Sequence, residues 1–329
     1  MLILIDGSSI LSTAFYGTVP AGYYQAKTPE EKARILPKLM QTPDGIYTNG
    51  TYSMCRTLLY LIESQQPTHI AVAWDISRNT FRRALYPAYK ANRPETPPEL
   101  KSQYQLMQGV LRSAGIKQFM HKYFEADDFL GSLASKFESE IPVYILTKDQ
   151  DMLQLVTEKT YVWLNTGRSQ ELKKQYPQDS PDGTFEFTPE LVKEVYGIHP
   201  NQVVDKKALA GDSGDNIPGI KGIGEKVTVP LLQEYGDLKA IFNAVKDETP
   251  FRETCKKLGI RAPIKKLRDG QEDAYLSKKL ATIQHPVINI GLDDLKLDLN
   301  KESLSKKFTE LDFVSLTTKL YYMSEKSAV

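Results

Sequence analysis

Cysteine and histidine are scarce in this chain, and their scarcity excludes whole classes of chemistry. Among 329 residues there are two Cys and four His. Cys55 and Cys255 lie 200 positions apart with no partner at metal-ligand spacing. Neither a disulfide framework nor a zinc site is therefore expected, and both read as buried free thiols. His69, His121, His199 and His285 are scattered and fit no metal or triad spacing. Long hydrophobic runs are missing as well. The opening MLILID is a short apolar run stopped by a carboxylate, too brief for a signal peptide and without a basic leader. No window approaches the ~18–20 apolar residues of a membrane helix. A cytoplasmic location with no membrane partner is the expectation. Charge of one sign is not in excess either, with 42 Lys+Arg against 41 Asp+Glu and a net charge of +1. Distribution, not the sum, must show whether a polyanion is bound.

The remaining composition is that of a folded globular protein, 41% hydrophobic and 25% charged. Three short apolar runs lead into aspartates: Leu2–Ile5 into Asp6, Ile70–Trp74 into Asp75, and Val143–Thr147 into Lys148 and Asp149. Runs of this kind suit strands buried on both faces. Between them Met54, Leu58, Leu61 and Ile62, and later Phe129, Leu130, Leu133, Ala134 and Phe137, repeat at helical spacing. Strands alternating with helices imply an α/β fold, a mostly parallel sheet flanked by helices. A site in such a sheet lies outside the carboxyl ends of its strands, where chain order alone would assemble Asp6, Asp75 and Asp149. From about residue 188 the pattern is helical only. Thr188-Pro189 reads as a cap with proline at the first helical position, and Gly197 as the stop. A helix over 201–210, a glycine-rich turn in IPGIKGIGEK and a second helix ending at Tyr235-Gly236 follow. Residues 17–44 and 165–187 read as surface insertions. The tail from Leu267 to Tyr322 reads as helices packed on the sheet domain.

Other acids join the three aspartates: Glu125, Asp127 and Asp128 in EADD, Asp151 in TKDQD, and Asp212 and Asp215 in GDSGD. Singly, each has a structural explanation, as a helix-start charge, a cap or a turn former. Jointly, nine carboxylates crowded in one place would repel one another unless cations neutralised them. Oxygen-only donors without His or Cys suit Mg²⁺ or Mn²⁺. Two such ions form the usual apparatus for in-line displacement at phosphorus.

Two further features suit a polyanion. The stretch from Arg78 to Arg93 holds Arg78, Arg82, Arg83, Lys90 and Arg93 with Tyr86 and Tyr89, and no acid precedes Glu95. Basic side chains interleaved with aromatics match phosphates and unpaired bases, while the plainer reading is a solvated charged face. The glycines Gly219, Gly222 and Gly224, with Lys221 and Lys226, can form a plain turn between helices. They can also form a helix-hairpin-helix whose backbone N–H groups hold duplex phosphates.

ILIDGSS, AWD at 73–75, TFRR with LYPAYKANRP, EADD, TKDQD, GDSGDNIPGIKGIG and KKLATI, in this order, resemble the 5′-nuclease domain at the N-terminus of bacterial family A DNA polymerases. Stand-alone relatives share these motifs, as do the phage and eukaryotic flap endonucleases more distantly. With no polymerase portion following, the chain reads as a free-standing form. The resemblance implies a PIN-like catalytic domain over 1–187 with a helical arch at about 78–104. It implies a helical DNA-binding region over 188–329, with the helix-hairpin-helix at about 205–236 and the tail on the core. It assigns Asp6, Asp75, Glu125, Asp127 and Asp128 to a first metal group, and Asp149, Asp151, Asp212 and Asp215 to a second. Lys90 and Arg93 approach the scissile phosphate, Arg82 stands at the arch base, and Tyr89 and Arg83 belong to the DNA-contacting arch. Gly219 to Lys226 grip the duplex beside a K⁺. The implied activity is hydrolysis of DNA at 5′ ends and 5′ flaps, primers included, by a monomer with two or more Mg²⁺ or Mn²⁺.

Two departures keep an alternative open. Thr13 stands where relatives commonly carry arginine, and Pro230 interrupts the helix after Gly224. A structure-specific DNA-binding protein with weakened or lost turnover is the second reading.

Overall fold

The structure, a computed structural model, describes residues 1–325. The apolar runs become strands of one six-stranded sheet: β1 (Leu2–Asp6), β2 (His69–Trp74), β3 (Lys117–Met120), β4 (Val143–Thr147), β5 (Thr160–Asn165) and β6 (Thr184–Phe187). Their order is β3-β2-β1-β4-β5-β6, and every pairing is parallel except β5 with β6. The mostly parallel sheet flanked by helices is as expected. Because strand side chains alternate between faces, β1 feeds two cores. Leu2 and Leu4 enter one with Ala71, Ala73 and Ile145. Ile3 and Ile5 enter the other with Ile70, Val72 and Trp74. Central, doubly buried strands of this kind fix register firmly, with Leu4 opposite both Ala71 and Ile145.

The sheet domain carries helices α1 (Gly7–Tyr16), α2 (Pro29–Ile35), α3 (Asn49–Gln65), α4 (Phe81–Leu85), α5 (Pro98–Ser113), α6 (Ala126–Phe137) and α7 (Ser169–Gln175). Helices α1, α3 and α5 cover one face, and α6 begins the cover of the other. Gly7 is needed where α1 starts against β2: a Cβ there would lie 2.7 Å from Val72 and 2.8 Å from Trp74. Helix α2, closed by a Thr28–Glu31 capping box, buries no residue, in keeping with a surface insertion. Residues 165–187 differ from that expectation, since they hold α7 and the edge strand β6. Elements of seven and four residues are too short for a periodic signal to emerge.

Beyond the sheet come α8 (Pro189–Tyr196), α9 (Val203–Ala210), α10 (Glu225–Tyr235), α11 (Leu238–Ala244), α12 (Glu248–Lys257), α13 (Ile264–Asp269) and α14 (Gln271–Ala281). The Thr188 hydroxyl accepts from the Leu191 N–H to start α8, and Gly197 ends it at φ 71°. Helix α9 packs on α10 and α14. Pro230 lies inside α10, yet the helix continues to Tyr235. The neighbouring Leu231 and Leu232 are fully buried and anchor that turn. The chain then returns along the sheet, where the Leu297 N–H bonds the Thr68 carbonyl at 2.9 Å. Helices α15 (Lys301–Glu310) and α16 (Val314–Glu325) pack on α5 and α3. Both cysteines are buried and free. No described helix is long and apolar enough to cross a membrane.

Candidate metal and nucleic-acid site

Four acids stand at the carboxyl ends of adjacent strands, and none of them is ion-paired among the described residues. Asp6 closes β1 and caps α1; its Oδ1 accepts from the Ser9 N–H at 3.0 Å and its Oδ2 from the Thr147 hydroxyl at 2.9 Å. Asp75 follows β2 and accepts from the Ala126 N–H at 2.9 Å, while its own N–H donates to Ser8 Oγ at 2.8 Å. Asp149 follows β4 and caps a 3₁₀ turn by accepting from the Asp151 N–H at 2.9 Å. Asp127 lies in the first turn of α6, the helix that follows β3. No described basic side chain forms an ion pair with any of these four. Asp6 is buried, Asp127 and Asp149 are half-buried, and Asp75 is exposed, so the group has an open mouth.

Their electrostatics record the crowding. Burial, then the charge of Asp75, raises the Asp6 carboxyl to about 7, against the bonds from Ser9 and Thr147. Burial and then Asp149, Asp6 and Asp75 push Asp127 well above the usual carboxylate range. Asp75 keeps solvent access but is ringed by protein, and that desolvation with Glu125 raises it too, despite the opposing Lys90.

The other five acids are already neutralised, so the nine do not form one uniform cluster. Glu125 accepts from Lys90 Nζ at 2.7 Å, the Thr80 hydroxyl at 2.9 Å and the Tyr89 hydroxyl at 3.1 Å. Burial alone would raise its carboxyl, but Lys90 and Arg82 outweigh it and hold Glu125 at about 2. Asp128 is 0% exposed and clamps both Arg82 amino groups, at 2.9 and 2.8 Å, besides accepting from the Glu125 and Gln284 N–H groups. Asp215 pairs with Arg93 and, at 3.7 Å, with Lys90. Lys207 bridges Asp151 and Asp212. Among the described residues no three acid, His or Cys side chains are gathered about one point closely enough to ligate an ion as they stand. The donor set still fits a hard dication in its chemistry: oxygen only, mutually repelling and open on one side.

Arg82 and Tyr89 are placed differently from an exposed arch. Arg82 is 2% exposed and, beyond Asp128, donates to the carbonyls of Leu280 at 2.9 Å and Thr282 at 3.0 Å. It ties α4 to α6 and to the end of α14. Tyr89 is 4% exposed, its hydroxyl donating to Glu125 and Asp215, so its ring presents no stacking face. Arg83 is half-buried. Helix α4 ends at Leu85, and residues 86–97 form turns and extended chain up to α5. This strap bears Lys90 and Arg93 at the rim of the open acids.

Gly219, Gly222 and Gly224 lie between α9 and α10. Gly219 has φ 58° and faces the Gly211 backbone, leaving no room for a Cβ. Gly222 has φ 78°, and its carbonyl accepts from Lys266 Nζ at 2.7 Å. Gly224 caps α10 without a side-chain bond, so that among the described residues the N–H groups of Glu225 and Lys226 have no partner, while Val227 N–H already bonds the Gly224 carbonyl at 2.9 Å; Lys221 and Lys226 are exposed beside them. Sequence reading missed Thr147, Thr80 and Lys207. Lys207 alone carried a signal, a cation one helical turn before Gly211-Asp212.

Residues 1–197 match the model of the 5′-3′ exonuclease N-terminal resolvase-like domain, and residues 198–303 that of the 5′-3′ exonuclease C-terminal SAM fold. DNA polymerase I of Bacillus caldotenax is 35% identical over 322 residues, and that of Bacillus subtilis 33% identical over 322 residues. Each match covers 97% of this chain and 32% of the relative, so the chain spans about a third of these relatives. Among solved structures, the T5 5′-exonuclease with zinc bound superposes with a TM-score of 0.58 at 18% identity, covering 98% of both chains. The catalytic core of Rad2 in complex with DNA substrate gives 0.54 at 15% identity, covering 94% of this chain and 87% of that one.

Proposed function

This chain belongs to the 5′-3′ exonuclease family, and we propose that it is a divalent-metal-dependent 5′-nuclease acting on DNA at free 5′ ends and 5′ flaps, RNA-primed ends included. The observation that carries this reading is the set of four acids, Asp6, Asp75, Asp127 and Asp149, gathered at strand ends with no ion-pairing cation among the described residues. Two or more Mg²⁺ or Mn²⁺ held there, with Asp151 and Asp212 recruited from Lys207, would polarise the phosphate and acidify the attacking water.

The chain's own groups supply the rest. Glu125, ionised across the whole working pH range, holds Lys90 at the rim of the acids. Lys90 and Arg93 exchange their carboxylate partners for the substrate phosphate and stabilise the charge that develops on its oxygens. Arg82 and Asp128 position rather than touch: they fix the strap's root against α6. The free N–H groups at the start of α10, with Lys221 and Lys226, suit backbone phosphates of the duplex. A K⁺ beside the Gly219–Lys226 hairpin belongs to the same reading. In this division of labour residues 1–187, with Asp212 lent by the helical region, perform the chemistry and residues 188–329 seat the duplex. Arg56 lines the same cavity of about 230 Å³ as Thr13, so an arginine shares that cavity with the position where Thr13 carries no charge.

The test is a labelled 5′-flap duplex incubated with Mg²⁺ and either the wild type or Asp127→Ala. The wild type releases products with 5′-phosphate and 3′-hydroxyl ends, and the variant does not. Equal cleavage by both counts against the assignment. Tight flap binding in EDTA with no cleavage in any dication establishes the binding-protein reading instead.

A further inference from the structure

Lys90 and Arg93 sit on a strap that has no helix of its own from residue 86 to 97. Besides Glu125 on the Lys90 ammonium and Arg78, which donates to the carbonyls of Arg93 and Pro94, a set of bonds to one loop of the helical region, Asp212–Ile217, holds the strap. The Lys90 N–H donates to the Asp215 carbonyl at 2.9 Å. Asn92 Nδ2 donates to the Ser213 carbonyl at 2.7 Å, and Asn216 Nδ2 to the Ala88 carbonyl at 2.7 Å. The two asparagines thus bond in opposite directions across the gap, each taking a backbone carbonyl of the other segment. Lys90 and Asn216 both occupy the left-handed region, at φ 52° and 56°. A non-glycine residue holds that conformation only where its surroundings over-determine it.

The loop is in turn rigid and continuous with the glycine hairpin. Asp212 and Ile217 exchange backbone bonds of 2.9 and 2.8 Å. Gly219 then packs on Gly211 and donates its N–H to Ser277 Oγ at 2.9 Å, and the Ile220 N–H bonds the Leu209 carbonyl at 2.8 Å. Three bonded steps therefore connect the hairpin beside α10 to the two strap cations.

We infer that Asn92 and Asn216 are positioning residues that lock the strap to the hairpin module, so that a duplex seated on the hairpin sets Lys90 and Arg93 over the scissile phosphate. The asparagines touch no substrate; they transmit register. The inference rests on the proposed nuclease reading and deepens it, because such a lock would make a duplex-anchored flap a better substrate than a loose single strand. Misplacement of a catalytic group by about 1 Å lowers turnover roughly 10²-fold, the scale of effect available to such a lock.

The experiment compares Asn216→Gly, Asn92→Ala and the double variant with the wild type. Glycine keeps the left-handed backbone of Asn216 without strain, so Asn216→Gly removes the bond to Ala88 at the cost of some added backbone freedom, which Asn92→Ala does not share. Kcat and KM are measured on a 5′-flap duplex and on a single-stranded oligonucleotide in Mg²⁺, with thermal melting as a check on folding. Each single variant is expected to lower kcat on the flap about 10-fold or more with KM within about twofold, and to leave single-strand cleavage unchanged. The double variant is expected to be no worse than the stronger single. Unchanged flap kcat in Asn216→Gly and Asn92→Ala overturns the inference, and so does an equal loss on both substrates. A wild type that cuts neither substrate defeats the nuclease reading itself.

Discussion

Arg82 separates a structural rivet from a catalytic cation, because its removal has a stability consequence that can be worked out in advance. The Asp128 carboxylate has no exposed surface and takes two of its four hydrogen bonds from Arg82. Substituting Arg82→Met leaves that carboxylate buried with only the Glu125 and Gln284 N–H groups, and leaves the Leu280 and Thr282 carbonyls without this donor. Breaking a buried pair from one side costs about 3–5 kcal/mol. Replacing both partners together is far milder, since an apolar pair of similar volume needs no counter-charge. Urea unfolding should therefore show Arg82→Met destabilised by about 3–5 kcal/mol, with Arg82→Met/Asp128→Leu recovering at least about half of that loss. An Arg82→Met protein as stable as the wild type within about 0.5 kcal/mol, yet inactive, refutes the argument and returns Arg82 to the substrate.

Other consequences concern pH, charge and backbone. The Asp6 carboxyl sits at about 7 when folded, against 3.8 ordinarily. An acid raised on folding is harmless below its unfolded value and becomes a burden as pH climbs through the folded one. Metal-free protein should thus lose melting temperature from about pH 4 to 7 and level off above, with Mg²⁺ restoring more at pH 8 than at pH 5. No added stabilisation by Mg²⁺ at pH 8 contradicts this. Lys90→Met should cut flap turnover about 10²–10³-fold while flap affinity in Ca²⁺ changes little, as expected of a group that acts on developing charge; equal losses in both would place Lys90 in ground-state binding. Gly219→Ala has no space for its methyl group against Gly211 and a left-handed backbone besides. It should weaken duplex binding without moving single-strand cleavage, measured by fluorescence anisotropy beside a nuclease assay.

Much of the arrangement was legible in the sequence where a local rule wrote it. Apolar runs ending in Asp marked three strands and put Asp6, Asp75 and Asp149 at the carboxyl ends of neighbouring strands. Thr188-Pro189 and Gly197 marked the ends of α8 for similar reasons. Side-chain pairing across the chain was not legible. Nothing near Asp128 announces that Arg82, 46 positions earlier, will consume both its oxygens, and Lys207 meets Asp151 only because α9 packs near the 3₁₀ turn after β4. Tyr89 looked like a stacking residue because an aromatic among basic residues has the same spelling whether it faces a base or a buried carboxylate. The strap was legible as a basic, aromatic stretch, but its lock was not, since Asn92 and Asn216 bond backbone carbonyls more than 120 positions away.

Asp6, Asp75, Asp127 and Asp149 share a space that dications would make tenable. Titration of Mn²⁺ into the DNA-free wild-type protein, followed by the electron spin resonance of free Mn²⁺, addresses this directly when repeated with Asp127→Asn. Saturable binding by the wild type, weakened at least about 10-fold in the variant, is the predicted result. Absence of saturable binding, or the same affinity in both proteins, contradicts it.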